Sequence, residues 1–257
     1  MIFVVSARKA LKSVFFGNIY NWMIFILVAT IAISAYQLDS IEAVLPTIAA
    51  VLIAGGLDTA IKSHKKGTFY LSKSGIISGL FIGMLMTPNV PAVVITAAIA
   101  ILSKHIIKIK NRHIFNPANF GLMIAGLIGF SSSWWGSYTL VPVVIFGAFI
   151  LYRIPKLKTV ISFLIAYAFS TALLFGSIQS FVPLIVNSTI LFFAFFMLTE
   201  HKTSSFTTKG QIVYGVSTGV LSALLILASQ LTGITYFSAY YLNIALAFGN
   251  IVAFKVR

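Results

Sequence analysis

Residues 41–66 read IEAVLPTIAAVLIAGGLDTAIKSHKK, and this stretch decides what kind of protein the chain is. Its apolar run, 41–61, matches the ~20 residues a helix needs to cross the ~30 Å hydrocarbon core of a bilayer. A basic segment follows at once, from Lys62 to Lys66. Apolar runs recur near 19–38, 74–87, 90–103, 117–130, 138–152, 159–176, 181–199, 211–231 and 237–254. The composition is 59% hydrophobic and 9% charged, against about half and about a quarter in soluble domains. The pattern predicts an all-α membrane protein of about ten transmembrane helices, with residues 1–257 forming a single polytopic domain.

The connections between runs are of two alternating kinds. Basic ones cover 1–18, 62–73, 104–113, 153–158, 200–210 and 255–257. Uncharged or acidic ones are Asp39 to Glu42, Pro88-Asn89, 131–137, 177–180 and 232–236. Ten crossings therefore place all 18 Lys and Arg on one side and only Asp39 and Glu42 on the other. The positive-inside rule makes the basic side cytoplasmic, with both termini there, in a multi-pass plasma-membrane protein. Trp134, Trp135 and Tyr138 then fall at the outer interface, where amphipathic rings are favoured. The net charge of +14 reads as a topology signal and as contact with anionic lipid of the bilayer, with no nucleic-acid partner. Arg8, Lys9 and Lys12 precede the first run without an A-x-A-like cleavage site, so that run reads as an uncleaved span. The absence of cysteine excludes disulfides and thiolate-held metal or iron–sulfur centres within the chain.

Two runs, 74–87 and 90–103, are short, at about 21 Å of helix each. Segments of that length are half-helices, which lipid tolerates where their loose backbone faces protein or a water-filled cavity. Phe81 to Thr87 (FIGMLMT) is echoed by Phe193 to Thr199 (FAFFMLT) in the eighth run, which crosses in the opposite sense. This suits two inverted five-helix repeats, about 15–130 and about 138–257, with a site where they meet. Gly75, Gly79 and Gly83, like Gly215 and Gly219, form small-residue stripes that suit close helix packing more than ligand contact.

Two stretches concentrate polar chemistry. Lys110 to Leu122 (KNRHIFNPANFGL) brings a basic loop into the membrane at Asn116-Pro117, an N-cap followed by a first-turn proline. The helix start can hold an anion; simple capping is the other reading. In Leu198 to Tyr214, Glu200 is one of four acids in the chain. An acid beside the membrane is a functional candidate unless it pairs locally, here with Lys202 or Lys209. Asp58 and Lys62 have the spacing of a structural i,i+4 pair. His64, His105, His113 and His201 match no metal motif and read as solvated loop residues. Asn187-Ser188-Thr189 is a glycosylation pattern placed inside a span. No nucleophile–base pair, Walker loop or dinucleotide fingerprint appears, so the chain is not expected to be an enzyme on its own.

At these stretches the sequence resembles the RnfD/NqrB family of membrane subunits from ion-motive electron-transfer complexes. The resemblance lies in Met86-Thr87-Pro88 and His113-Ile114-Phe115-Asn116-Pro117-Ala118. It continues in Phe195 to Thr203 (FFMLTEHKT) and in Thr207 to Gly215 (TTKGQIVYG). It implies ten helices in inverted repeats. Members with covalent FMN carry a Ser-(Gly/Ala)-Ala-Thr motif on an outer loop; this chain lacks it, and Glu200-His201 replaces the usual Asp-Pro. Any flavin, FMN or riboflavin, is thus expected to be non-covalent, among apolar walls with few polar anchors.

Two functional readings follow. In the first, the chain is a membrane subunit of a flavin-dependent electron-transport system, with coupling to Na⁺ or H⁺ translocation as an option, receiving electrons from partner subunits on its basic cytoplasmic face. Thr87, Arg112, Asn116, Asn119, Thr199, Lys202, Thr203 and Ser204 are its candidate cofactor contacts, with Glu200 the ion or proton ligand. In the second, the same scaffold is a channel or transporter for a small solute such as a vitamin or an ammonium- or urea-like molecule.

Overall fold

The computed structural model describes residues 18–176 and 185–256. Arg8, Lys9, Lys12, Arg257 and the connection 177–180 lie outside the described residues. Most of the described residues are helical. α1 (Ile19–Gln37), α2 (Val44–Lys66, preceded by a 3₁₀ turn Ile41–Ala43), α3 (Lys73–Leu85) and α4 (Val90–Ile106) come first. A two-stranded hairpin, β1 (Lys108–Ile109) and β2 (Arg112–His113), leads into α5 (Pro117–Leu127). α6 (Leu140–Arg153), α7 (Leu157–Phe175) and α8 (Ser188–Phe192) follow, the last continuing as a π-helical turn, Phe193–Met197. α9 (Thr208–Thr232), α10 (Thr235–Ala239) and α11 (Tyr241–Lys255) complete the fold.

Four helical segments, Ile19–Gln37, Ile41–Lys66, Leu157–Phe175 and Thr208–Thr232, are long and apolar enough to cross a membrane. Six further apolar helices are shorter. Both runs expected to be short are among them, α3 with 13 residues and α4 with 17, but two others are shorter still. α4 reaches 17 residues because Lys104 and His105 stay helical rather than ending it. α5 has only 11 residues, and the α8 segment with its π turn runs only from Ser188 to Met197. Asn187 does not lie inside a helix; its side chain caps α8 by accepting from the N–H groups of Thr189 and Ile190.

Close backbone contact explains the glycine stripes. A Cβ on Gly79 would lie 2.5 Å from the Val51 Cα, and one on Gly83 would lie 2.6 Å from the Thr47 Cα. α3 therefore lies directly on the α2 backbone. Gly219 meets α7 in the same way, a Cβ there falling 2.7 Å from the Phe163 carbonyl oxygen. Small residues are the means by which helices without a hydrophobic driving force gain dispersion contact in lipid.

Hydrogen bonds sort the helix ends into two groups. At the basic end, Ser72 N–H donates to Thr59 Oγ1 (3.0 Å), Lys158 Nζ to Thr208 Oγ1 (2.9 Å) and Gln211 Nε2 to the Pro155 carbonyl (3.1 Å). At the other end, the loop 128–139 folds back over the tip of α3. Thr87 N–H donates to the Ser131 carbonyl (3.1 Å), and the N–H groups of Ser133 and Trp134 both donate to the Leu85 carbonyl at 3.0 Å. Trp134 adopts a left-handed backbone (φ 53°), which turns the next ring inward. Trp135 is consequently buried, with Nε1–H donating to the Gly83 carbonyl at 2.9 Å. It is not an interfacial ring as the sequence suggested, whereas Tyr138 is exposed. The loop supplies donors to a broken helix end that would otherwise be unsatisfied.

Candidate functional site

At the basic end the helix termini surround a cavity of about 250 Å³. Its walls are Ile19 and Met23 of α1, Ile77 and Phe81 of α3, Ile154, and Phe196 from the π turn. Phe192 stacks on Phe196 (centroids 4.9 Å) and meets Phe81 edge-on (5.9 Å), so an aromatic cluster backs this apolar wall. The polar rim comprises Ser74, Ser78, Lys104, His113, Asn116, Arg153, Thr199, Glu200, His201 and Lys202.

Each rim residue is placed by local sequence. Asn116 caps α5 as expected: its Oδ1 accepts from Asn119 N–H at 3.1 Å, and Pro117 occupies the first turn. Asn116 N–H donates to Asn250 Oδ1 (3.0 Å), and Asn250 Nδ2 donates to the Tyr214 hydroxyl (3.1 Å), which ties the cap to α11 and α9. Ser72 caps α3, its side chain accepting from Gly75 N–H. The starts of α3 and α5 thus border the same cavity, and each carries the partial positive charge of a helix N-terminus. The π turn displaces one residue from the helical register, a distortion common at functional sites. Thr199 follows it, Oγ1–H donating to the Phe195 carbonyl at 2.5 Å.

Glu200 is held by its own loop. Thr203 Oγ1–H donates to Glu200 Oε2 (2.8 Å), Ser204 Oγ–H to the Glu200 carbonyl (2.7 Å), and His113 Nε2 lies 3.9 Å from Oε1. The loop is anchored in turn by Lys156, which is buried, donates to the Ser205 carbonyl and sits 4.2 Å over the Phe206 ring.

Of the residues singled out from sequence, Asn116, Thr199, Glu200 and Lys202 come together around the cavity. Thr203 and Ser204 are buried and brace Glu200 instead of lining the space. Asn119 is fully buried and clasps α11: its Nδ2 donates to the Asn243 carbonyl (2.8 Å) and Asn243 Nδ2 donates to its Oδ1 (2.9 Å). Thr87 lies exposed at the opposite end. Arg112 is exposed on the hairpin, whose turn residues Lys110 and Asn111 both take positive φ. That geometry suits a two-residue hairpin turn.

Behind the cavity lies a buried charge cluster that the sequence pattern does not reveal. Asp58 is fully buried and bonds far more than Lys62. Its Oδ2 accepts from Lys62 Nζ (2.8 Å), Lys104 Nζ (2.5 Å), Ser74 Oγ (3.2 Å) and Ser72 Oγ. His105 Nε2 meets Oδ1 at 2.7 Å. His105 is therefore no solvated loop residue, nor is His113, whose side chain is largely covered at the rim; His64 and His201 are exposed. An acid within an apolar run was the available signal, since such residues are functional candidates by default.

Comparison with curated proteins finds no match. Residues 122–248 match the model of the NQR2, RnfD, RnfE family. The match contains the Thr199–Lys202 side of the cavity and begins just after the Asn116-Pro117 side. Over this stretch, just under half of its length, the chain is similar to the NQR2, RnfD, RnfE family.

Proposed function

We propose that the chain is a membrane subunit of a flavin-dependent electron-transport complex, with a flavin held non-covalently in the cavity at the basic end. The observation that carries this reading is convergence. His113 to Ala118 and Phe195 to Lys202, far apart in sequence, meet around one space with an apolar aromatic wall and a cationic rim. The donor set suits such a group: a flat apolar ring system lies against Phe81, Phe196, Met23 and Ile77, and anionic or carbonyl oxygens face Arg153, Lys202 and the start of α5. At about 250 Å³ the space is slightly smaller than ligand cavities of roughly 300–1,000 Å³. Its mouth lies at the basic end, so a ligand's polar tail can extend past the rim. A flavin supplies one- and two-electron redox chemistry when bound. The protein's own part is to exclude water with the aromatic wall, to orient the ring through Asn116 and Thr199, and to hold a carboxylate, Glu200, at the rim for a cation or proton.

The proposal extends to topology. The reading has ten crossings in two inverted repeats, with the basic end cytoplasmic in the plasma membrane; the charge distribution and the hydrogen bonds between basic loops support that orientation. Redox partner subunits then dock on that basic face. Against a through-channel for a small solute, α3 residues beyond Phe81, namely Ile82, Met84 and Leu85, are fully buried, and Trp135 fills the far side. The test is the visible absorption spectrum of the purified, folded protein. A flavin band that is released on denaturation sustains the reading; a folded, monodisperse, colourless protein that takes up no added flavin overturns it.

A further inference from the structure

We propose that Lys104 is an anion anchor in the cavity wall, positioned by Asp58, and that it makes the site select a flavin bearing a phosphate monoester over an uncharged flavin. The inference rests on the flavin reading for the body of the ligand, but the anion preference stands on the charge arrangement. One carboxylate, Asp58, serves two ammonium groups, Lys62 at 2.8 Å and Lys104 at 2.5 Å. Its other oxygen is occupied by His105 at 2.7 Å. The cluster thus holds more positive than negative charge, and Lys104 is the member that faces the cavity.

Lys104 has three N–H donors and, among the described residues, meets two acceptors, Asp58 Oδ2 and Ser74 Oγ (2.9 Å). Its side chain is only 6% exposed, so water does not readily supply the third. A buried ammonium with an unused donor at a cavity wall is stabilised by an anionic oxygen placed there. The surroundings favour the same sign: Arg153, Lys202 and the starts of α3 and α5 border the space, against the single carboxylate of Glu200 at the rim. Asp58 and Ser74 fix where the ammonium sits, and Lys62 remains with Asp58 if Lys104 is replaced.

The test uses the full chain in detergent, stripped of flavin and titrated separately with FMN and with riboflavin, followed by flavin fluorescence. A charge-assisted contact predicts that wild type binds FMN at least about tenfold more tightly than riboflavin. Lys104→Met is expected to abolish that difference, with the loss falling mainly on FMN, and Lys104→Arg to retain it. Asp58 keeps Lys62 and His105 in the methionine variant, so the cluster stays compensated; Lys104→Gln gives the same readout if methionine does not fold. Equal affinities in wild type, or a preference that survives both neutral variants, overturn the anchor and leave the flavin reading standing. If neither flavin binds wild type, the flavin reading falls and inorganic phosphate decides the anchor. A rise in thermal stability with phosphate over chloride that is lost in Lys104→Met upholds it; equal responses overturn it.

Discussion

Replacing Asp58 by asparagine keeps the size of the side chain and removes the only carboxylate among Lys62, Lys104 and His105. Taking one partner from a buried ion pair destabilises by about 3–5 kcal/mol, because a charge is left buried without compensation. The structure places the effect at the lower end. Lys62 is 21% exposed and can turn toward water, whereas Lys104, at 6%, cannot. One stranded ammonium, at about 3 kcal/mol, corresponds to a fall in Tm of about 6–12 °C at about 2–4 °C per kcal/mol for chains of this size. The assay is thermal unfolding of the detergent-solubilised protein followed by tryptophan fluorescence. Asp39→Asn is the control, since Asp39 is exposed and asparagine tolerates its positive φ of 49°. The double variant Asp58→Asn with Lys104→Met removes the stranded charge and is expected to recover at least half of the lost stability. An Asp58→Asn protein that melts within 2 °C of wild type (a shift smaller than about 1 kcal/mol produces), or a double variant less stable than the single one, would refute the reasoning.

Four further outcomes follow from the packing and the topology. Gly79→Leu is expected to force α3 off the α2 backbone and lower Tm by several degrees, at an overpacking cost of about 1–3 kcal/mol. Gly56→Ala, with nothing within 4 Å of its added Cβ, should leave Tm unchanged or slightly raised in the same melt. Asn119→Ala leaves Asn243 without its reciprocal partner and is expected to cost about 1–3 kcal/mol, read as a lower Tm and faster hydrogen exchange in α5 and α11. A reporter inserted after Lys66 or after Arg153 is expected to be active only as a cytoplasmic fusion, and one inserted at Gly129 only as an external one; the opposite pattern at any of the three refutes the charge-based topology.

The broad plan was legible in the sequence because it depends on local quantities. Apolar length marks where a helix sits in lipid, and Asn116-Pro117 announces a cap whose hydrogen bond closes three residues later. The charge cluster was not legible, since Asp58 and Lys104 are 46 positions apart and meet only once α2, α3 and α4 have packed. Windowed hydropathy averages Asp58 into an apolar run, and its i,i+4 relation to Lys62 offers a sufficient local explanation that conceals the larger one. Trp135 misled for a related reason: its inward turn depends on the left-handed backbone of Trp134 and on a carbonyl at Gly83, neither written in the local pattern. Asn119 sits in the stretch that borders the cavity but faces α11, because one turn of an 11-residue helix separates lining from clasp. The place of Thr199 and Lys202 at the cavity was more legible, because the loop that carries them is fixed by residues close in sequence.

The brevity of α3 bears on how the protein enters its membrane. Thirteen helical residues reach about 20 Å, short of the ~30 Å core, so this segment is poorly suited to partition into lipid as a solitary unit. Its neighbours supply what it lacks: α2 offers a backbone surface to its glycines, and α4 brings the ammonium that meets the acid of α2. The hold of α3 in a bilayer is therefore expected to depend on α2 and α4 being in place beside it.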